Sequence, residues 1–315
     1  MAVGTRPLVP SRLSPGGVVH GSTRTPTTPL RGYVALAKLR VIELLLVTTV
    51  PTMVLAEQGW PSTALVLVTL LGGTLAAGGA NAINMVIDRD IDALMKRTQG
   101  RPLVTGLITP RAAMVFAITL EVLAFGVLWW GANLLSAVLT LSATLFYVFV
   151  YSIWLKRRTR QNIVIGGAAG AVPVLVGWSA VQNSVSWSAV TLFVVMFLWT
   201  PPHFWALAIR HVDEYRAAGV PMLPVVVPIE QAVRQMVIYT AALVVSSLIL
   251  IPVAGVGAIY AGTAVVAGSV FMWGTIDLGR HPTAQRSMRL FGFSITYVTL
   301  LFGALTTDVL VRHGF

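Results

Sequence analysis

The 315-residue chain contains no cysteine, which excludes disulfides, thiolate metal sites and cysteine nucleophiles. It is also poor in charge: 10% of its residues are Asp, Glu, Lys or Arg, with 11 acids against 22 bases. The first 37 residues hold no acid and no apolar run of the kind that forms the core of a secretory signal. No strand pattern precedes Gly166, Gly167 and Gly170 and no Gly-Lys-Ser/Thr follows them, so they do not form a phosphate-binding loop. What the chain has instead is apolar content. It is 56% hydrophobic with a mean hydropathy of +0.80. Apolar stretches of about twenty residues recur to the C-terminus, which marks transmembrane helices.

Nine spans are predicted near 39–57, 62–87, 111–131, 133–155, 163–181, 187–210, 236–255, 257–277 and 289–310. The expected architecture is an all-α polytopic membrane protein with a disordered basic tail over 1–37 and a nine-helix domain over 38–315. Placing the connections on alternate sides puts 21 of the 22 Lys and Arg residues on one side and leaves only Arg312 on the other. Basic residues in short loops stay cytoplasmic, so the N-terminus is expected inside and the C-terminus outside. The same distribution argues against nucleic acid as the partner of a chain with net charge +11, because the bases sit in loops and not in a groove with stacking aromatics. An Arg-rich, acid-free start also has the composition of a mitochondrial transit peptide, so the expected membrane is a bacterial inner membrane or, alternatively, the mitochondrial inner membrane. Trp129, Trp130 and Trp187 lie near outer span ends, as an aromatic belt requires.

Charge returns abruptly at NAINMVIDRDIDALMKRTQGRP, residues 81–102. Asn84, Asp88 and Asp92 are four apart and share one helix face, while Asp90 points about 200° away from Asp88. Crowded carboxylates at a membrane boundary are relieved by a divalent cation, and hard cations take oxygen ligands. Lys96, Arg97 and Arg101 follow directly, and carboxylates beside cations suit a metal-bridged diphosphate. The bland alternative is a solvated helix end.

Two further regions reach the same side. In YSIWLKRRTRQNIVIGG, from Tyr151, the bases Lys156, Arg157, Arg158 and Arg160 mark topology, and they also suit diphosphate oxygens. In WTPPHFWALAIRHVDEYRAAGVPMLPVV, from Trp199, Pro201 and Pro202 are expected to break or kink the sixth span. His203 follows in an apolar context, either as a functional group or as a histidine bonded to carbonyls that the prolines release. His211, Asp213 and Glu214 lie farther along. Asp213 or Glu214 either completes a metal site with Asp88 and Asp92 or solvates the helix end. Glu43 and Glu121 also fall inside spans, each as a cavity-lining group or a buried acid with a local partner.

Together these regions resemble the UbiA-type intramembrane prenyltransferases, whose first aspartate motif, Asn-x-x-x-Asp-x-x-x-Asp, is matched by Asn84, Asp88 and Asp92. RTQGRPL from Arg97, the Tyr151 segment, PPHFWALAIR from Pro201 and EYRAAGVPMLPVV from Glu214 resemble the branch that farnesylates protohaem. Two positions depart from the pattern: Ser152 stands where the branch often has Thr, and Asp213-Glu214-Tyr215 replaces a pair of spaced aspartates. The resemblance implies transfer of a farnesyl group from farnesyl diphosphate to a vinyl group of haem B, with addition of water, to give haem O. It implies Mg²⁺, bound through the diphosphate by Asn84, Asp88 and Asp92, with Lys156 completing the catalytic set. Substrate contacts are expected from Arg97, Arg101, Tyr151, Arg157, His203, His211, Asp213, Glu214 and Tyr215, with His203 as haem contact or axial ligand and His211 as second choice. It also implies a lipid bilayer setting and haem A synthase or terminal oxidase assembly factors as partners. The alternatives are a prenyltransferase for a quinone or chlorophyll-type acceptor and a cation-coupled transporter.

Overall fold

A computed structural model describes residues 28–314, and these residues are helical throughout, with loops between. Thirteen helices follow in chain order: α1 (Pro29–Ala37), α2 (Leu39–Glu57), α3 (Thr63–Ile87), α4 (Arg89–Leu94), α5 (Pro110–Gly131), α6 (Leu134–Leu155), α7 (Asn162–Gln182), α8 (Trp187–Arg210), α9 (Val212–Ala217), α10 (Leu223–Val226), α11 (Ile229–Ala254), α12 (Ala258–Arg280) and α13 (Ala284–His313). Among the described residues eight helices are long and apolar enough to cross a membrane, and α2, with 19 residues, is a further long helix.

Local chemistry sets where the helices begin. Ser62, Thr109, Asn133, Ser186 and Thr283 each accept a backbone N–H three residues on, at 2.9–3.3 Å, and so cap α3, α5, α6, α8 and α13. Pro110 follows Thr109 at the first helical position, where its missing N–H leaves no bond unmade. At the opposite end of the bundle the buried Asp308 carboxylate accepts the backbone N–H groups of Ile259 (3.1 Å) and Tyr260 (3.4 Å), which caps α12 from α13.

The helices form a series of neighbours, α3, α5, α6 and α7 followed by α8, α11, α12 and α13. Helix α2 packs on α3, α7 and α13 and joins the two ends of the series. The larger apolar core lies in the second half, around Trp199, Trp205, Met236, Tyr260, Phe271 and Tyr297. Large apolar side chains such as Leu67, Val122, Val266 and Trp273 point outward, as a lipid-facing surface requires.

Three expectations change. The tail expected to extend through residue 37 lies outside the described residues only up to 27, because Pro29–Ala37 is a helix. Thr28 caps it, Pro29 occupies its first turn, Gly32 lies against Leu107 and Ile108, and Leu36 is buried. Helix α8 runs unbroken through Pro201 and Pro202, so these prolines do not end it. The second half of α6, Phe146–Leu155, is π-helical. Its wider turn is seen in the Lys156 N–H bond to the Tyr151 carbonyl, five residues back, at 2.8 Å.

Candidate active site

The site is built at the end of the bundle where α3, α4, the π-helical segment and the α1–α2 junction meet. Asp88 ends α3 and precedes α4, yet the hydrogen-bond register continues through it. Its N–H bonds the Asn84 carbonyl at 2.9 Å, and the Asp92 N–H bonds the Asp88 carbonyl at 2.8 Å. The four-residue spacing therefore survives the break, and Asn84, Asp88 and Asp92 are all buried, Asp88 at 0% exposure. Asp90 is turned out, with its side chain 64% exposed.

Each buried acid has a cation. Lys156 Nζ donates to Asp88 Oδ2, and Arg101 donates to Asp92 Oδ2. Asn84 Nδ2 donates to Asp88 Oδ2 at 2.8 Å and to Ser152 Oγ at 3.0 Å, which ties α3 to the π-helical segment. Ser152 in turn donates to the Tyr147 carbonyl, five residues back, at 2.9 Å. The π-helical register thus aims Ser152 at the Asn84 amide and Lys156 at the Asp88 carboxylate. A Cβ at Gly166 would overlap the Tyr151 ring, so glycine there lets α7 approach and hold Tyr151 stacked on Tyr147 at 5.4 Å.

Arg157 forks onto Asp90 at 2.6 and 2.7 Å and lies 4.0 Å from Asp88 Oδ1. The Arg157 hydrogen bond pulls the Asp90 carboxyl down to about 2. Asp88 Oδ1 has no hydrogen-bond partner. A fully buried carboxylate oxygen without a partner is costly unless something else satisfies it.

One site residue was read in the sequence only as a topology signal. Lys38, in left-handed conformation (φ 51°) between α1 and α2, donates to Asn84 Oδ1 at 3.4 Å, while Asn81 Nδ2 bonds the neighbouring Ala37 carbonyl at 3.3 Å. Burial, then the charges of Arg101 and Lys156, push the Lys38 ammonium down to about 7. No periodicity signals it, because it lies at a helix break.

The second inner segment meets the first through Arg97. Its backbone N–H donates to Glu214 Oε2 at 3.4 Å, its guanidinium donates to the Tyr215 hydroxyl at 3.3 Å, and the guanidinium lies 5.9 Å from the Tyr215 ring centre. His211 Nδ1 lies 3.1 Å from the other Glu214 oxygen. Partial burial opposes ionisation of Glu214, but the His211 and Arg97 hydrogen bonds outweigh it and hold the carboxyl below its ordinary range. Asp213 is 90% exposed and pairs with Arg216 at 2.8 Å. Neither Asp213 nor Glu214 is paired to a residue of the Asp88–Asp92 group. Among the described residues no cluster of three or more His, Asp or Glu side chains is arranged to hold a metal by itself.

His203 lies elsewhere, in the core of the second half. It is 7% exposed, its Nδ1 is 2.6 Å from Ser294 Oγ, and its ring is stacked between Trp199 (4.2 Å) and Phe291 (4.5 Å). Its bonded partner is a serine, not one of the carbonyls released by the prolines. Of the two acids read inside spans, Glu121 accepts from Thr144 at 3.2 Å and Glu43 is exposed.

Residues 45–300 match the UbiA prenyltransferase family. The chain belongs to that family. The UbiA fold is borne out by two solved structures: a homologue from Aeropyrum pernix K1 (TM-score 0.68, 20% identity, 86% of this chain and 98% of the other) and one from Archaeoglobus fulgidus bound to GPP and Mg²⁺ (TM-score 0.60, 19% identity, 87% and 99%). Within the UbiA family, strong similarity is to protohaem IX farnesyltransferases. That of Frankia alni is 54% identical over 90% of this chain and 99% of its own length. That of Streptomyces coelicolor is 50% identical over 95% and 98%. The chain is thus a prenyltransferase and a multi-pass membrane protein.

Proposed function

We propose that the protein transfers the farnesyl group of farnesyl diphosphate to a vinyl group of haem B, with addition of water, giving haem O and free diphosphate. The observation that carries the proposal is identity of 50–54% along nearly the whole length of protohaem IX farnesyltransferases, combined with a buried Asn84–Asp88–Asp92 face ringed by cations. The bundle is read with nine spans, α2 included, in a bacterial inner membrane, with the N-terminus and the charged end cytoplasmic.

The residues fit a metal-bridged diphosphate. Asp88 Oδ1 is buried without a partner, and Asn84 Oδ1 and Asp92 supply further hard oxygens beside it. When bound, Mg²⁺ would supply positive charge against the negative charge that grows on the leaving diphosphate. Asn84, Asp88 and Asp92 are the residues that would hold it together with the diphosphate. Lys156, Arg101, Lys38 and Arg157 then have two classes of partner. Without substrate they pair with acids or with Asn84. With diphosphate present, their positive charge lies where the C–O bond breaks and stabilises the departing oxygens.

His203 is assigned a packing role, since Ser294, Trp199 and Phe291 already engage it. Glu214, His211, Arg97 and Tyr215 join the two inner segments over the site. Haem A synthase or terminal oxidase assembly factors are the partners that this product implies.

The test is turnover of radiolabelled farnesyl diphosphate with haem B by the purified protein, with and without Mg²⁺. A labelled haem product that requires Mg²⁺ is expected. Transfer to a quinone precursor but not to haem B would reassign the acceptor, and no transfer by folded protein would reject the reaction.

A further inference from the structure

Small residues on a membrane helix usually let a neighbouring helix come close. Gly72 does so, since a Cβ there would overlap Leu128 of α5, and Gly177 does so against the Thr49 carbonyl of α2. Gly73 and Gly170 do not: a Cβ at either would meet nothing within 4 Å. Both lie on helix sides turned away from lipid. Gly73 is about 200° round α3 from Leu71, which is 52% exposed, and Gly170 is about 140° round α7 from Ile165, which is 39% exposed. Gly73 is nevertheless only half-buried and Gly170 is exposed, so the space they face lies inside the bundle.

That space begins at the carboxylates. On α3, Ala80, Ala77 and Gly73 follow Asn84 turn by turn, within about 40° of it, and all three are half-buried. One turn to the other side of Asn84, the same face carries the buried, unpartnered Asp88 Oδ1. On α7, Gly166 lies against the ring of Tyr151, whose neighbour Ser152 is bonded to Asn84, and Gly170 is one turn farther in. The far end is closed. Val66 and Leu70, on the Asn84 side of α3, pack with Met53 of α2 and Ala180 of α7 in one apolar cluster. From Asn84 to Leu70 on α3, and from Gly166 to Ala180 on α7, the two helices cover the same distance, about 21 Å. Neither carries a charged side chain along that length.

An apolar space that opens beside a diphosphate site and ends at a packed floor limits what can hang from the diphosphate. We propose that the space between α2, α3 and α7 holds the isoprenoid tail of the donor, and that Gly73, at its deep end, sets the tail length the protein accepts. The inference rests on the prenyl diphosphate donor proposed above and adds to it the helices that hold the tail and the residue that limits it. Between Asn84 and Gly73 the α3 helix rises about 16 Å, the length of three extended isoprene units. A fourth unit would run into the cluster of Val66, Leu70, Met53 and Ala180. Gly170, one turn from the Tyr151 contact, faces an earlier part of the same path.

The experiment measures binding of dimethylallyl, geranyl, farnesyl and geranylgeranyl diphosphate, each with Mg²⁺, to the full-length protein in detergent by calorimetry, for wild type, Gly73→Leu and Gly170→Leu. Neither leucine meets a neighbour at its Cβ, and leucine favours a helix over glycine, so both variants should fold. Wild type should hold farnesyl diphosphate more tightly than geranylgeranyl diphosphate. Gly73→Leu should weaken farnesyl diphosphate by at least about 100-fold, through the lost burial of its last isoprene unit, and leave geranyl diphosphate unchanged. Gly170→Leu should weaken geranyl and farnesyl diphosphate alike and spare dimethylallyl diphosphate. Equal farnesyl diphosphate affinity in wild type and Gly73→Leu, joint loss of geranyl and farnesyl diphosphate in Gly73→Leu, or geranylgeranyl diphosphate held by wild type as tightly as farnesyl would overturn the length limit. Wild-type protein that binds no prenyl diphosphate would instead reject the donor reading, and the length limit with it.

Discussion

The Asp88–Lys156 pair is the place to separate what stabilises the fold from what performs the reaction. Asp88 is fully buried, and Lys156 is its direct ion partner, with a side chain 15% exposed. Breaking a buried pair by removing one member leaves the other charge uncompensated, at about 3–5 kcal/mol. The two single changes are not symmetric here. Lys156→Met leaves Asp88 with the Asn84 amide at 2.8 Å and the Arg157 guanidinium at 4.0 Å, so part of its stabilisation survives. At that distance, and with an effective dielectric of about 20, the remaining attraction is about 4 kcal/mol before desolvation. Asp88→Asn leaves Lys156 near Arg157 with no buried acid between them. Asp88→Asn should therefore be the more destabilising, by about 3–5 kcal/mol, with Lys156→Met nearer 2–3 kcal/mol.

The double variant Asp88→Asn, Lys156→Met removes both charges and should recover most of that loss, to within about 1–2 kcal/mol of wild type. Turnover behaves differently. Both groups are needed to stabilise charge on the departing diphosphate, so each single variant and the double should lose at least about 100-fold. The assays are thermal unfolding in one detergent and farnesyl transfer to haem B under saturating Mg²⁺. Additive destabilisation in the double variant would refute the pair as the stabilising unit. Recovery of turnover in the double variant would refute the catalytic argument, because it would make the single losses consequences of misfolding.

Three further outcomes follow from the same geometry. Asp90→Ala should change stability by only about 0.2–1 kcal/mol, since the Asp90–Arg157 pair is exposed, and should keep turnover within a few-fold of wild type; equal loss in Asp90→Ala and Asp88→Ala would contradict the helical-face assignment. Burial and the Arg101 and Lys156 charges lower the Lys38 ammonium to about 7 against the opposing Asp92 and Asp88 charges, and a bound diphosphate raises it, so binding takes up a proton and farnesyl diphosphate affinity should fall as pH rises from 7 to 9; Lys38→Arg, charged throughout, should flatten that profile, and an unchanged slope would exclude Lys38 as its source. His203→Ala should lower stability by about 2–4 kcal/mol through lost stacking and the lost Ser294 bond, with haem affinity of the folded protein unchanged; selective loss of haem binding would restore the ligand role.

The parts of the site legible in the sequence are those whose geometry is local. Asn84, Asp88 and Asp92 are four apart, and a helical register alone puts them on one face. Asp90 is turned out for the same reason. Lys156 and Arg157 were legible through charge placement, since a basic run on the same side as the acids has few other places to go. The rest depends on contacts that no local pattern encodes. Lys38 reaches Asn84 across 46 residues of chain. His203 looks like an isolated intramembrane ligand until Ser294, 91 residues away, is placed against it. The first turn of α1 reads as a continuation of a Pro- and Gly-containing tail, because Pro29 at a helix start and Gly32 at a close contact have the same composition as a loop. The π-helical register is set by Ser152 bonding to Asn84 and by Gly166 accepting the Tyr151 ring, both tertiary events.

These non-local contacts share one physical cause. A group of buried acids at a membrane boundary is stable without ligand only if cations from other parts of the chain come to it. Lys38 and Lys156 come from segments distant in the chain and Arg101 from the end of the acids' own stretch, and each engages a different member of the Asn84–Asp88–Asp92 face. The charges that neutralise the acids in the free protein are the same charges that a diphosphate would use. Substrate binding then exchanges partners within a fixed set of side chains, and no new charge has to be brought into the membrane boundary. Asp88 Oδ1 is fully buried, accepts no hydrogen bond and has only the Arg157 guanidinium at 4.0 Å, and it is the atom on which the metal assignment chiefly rests.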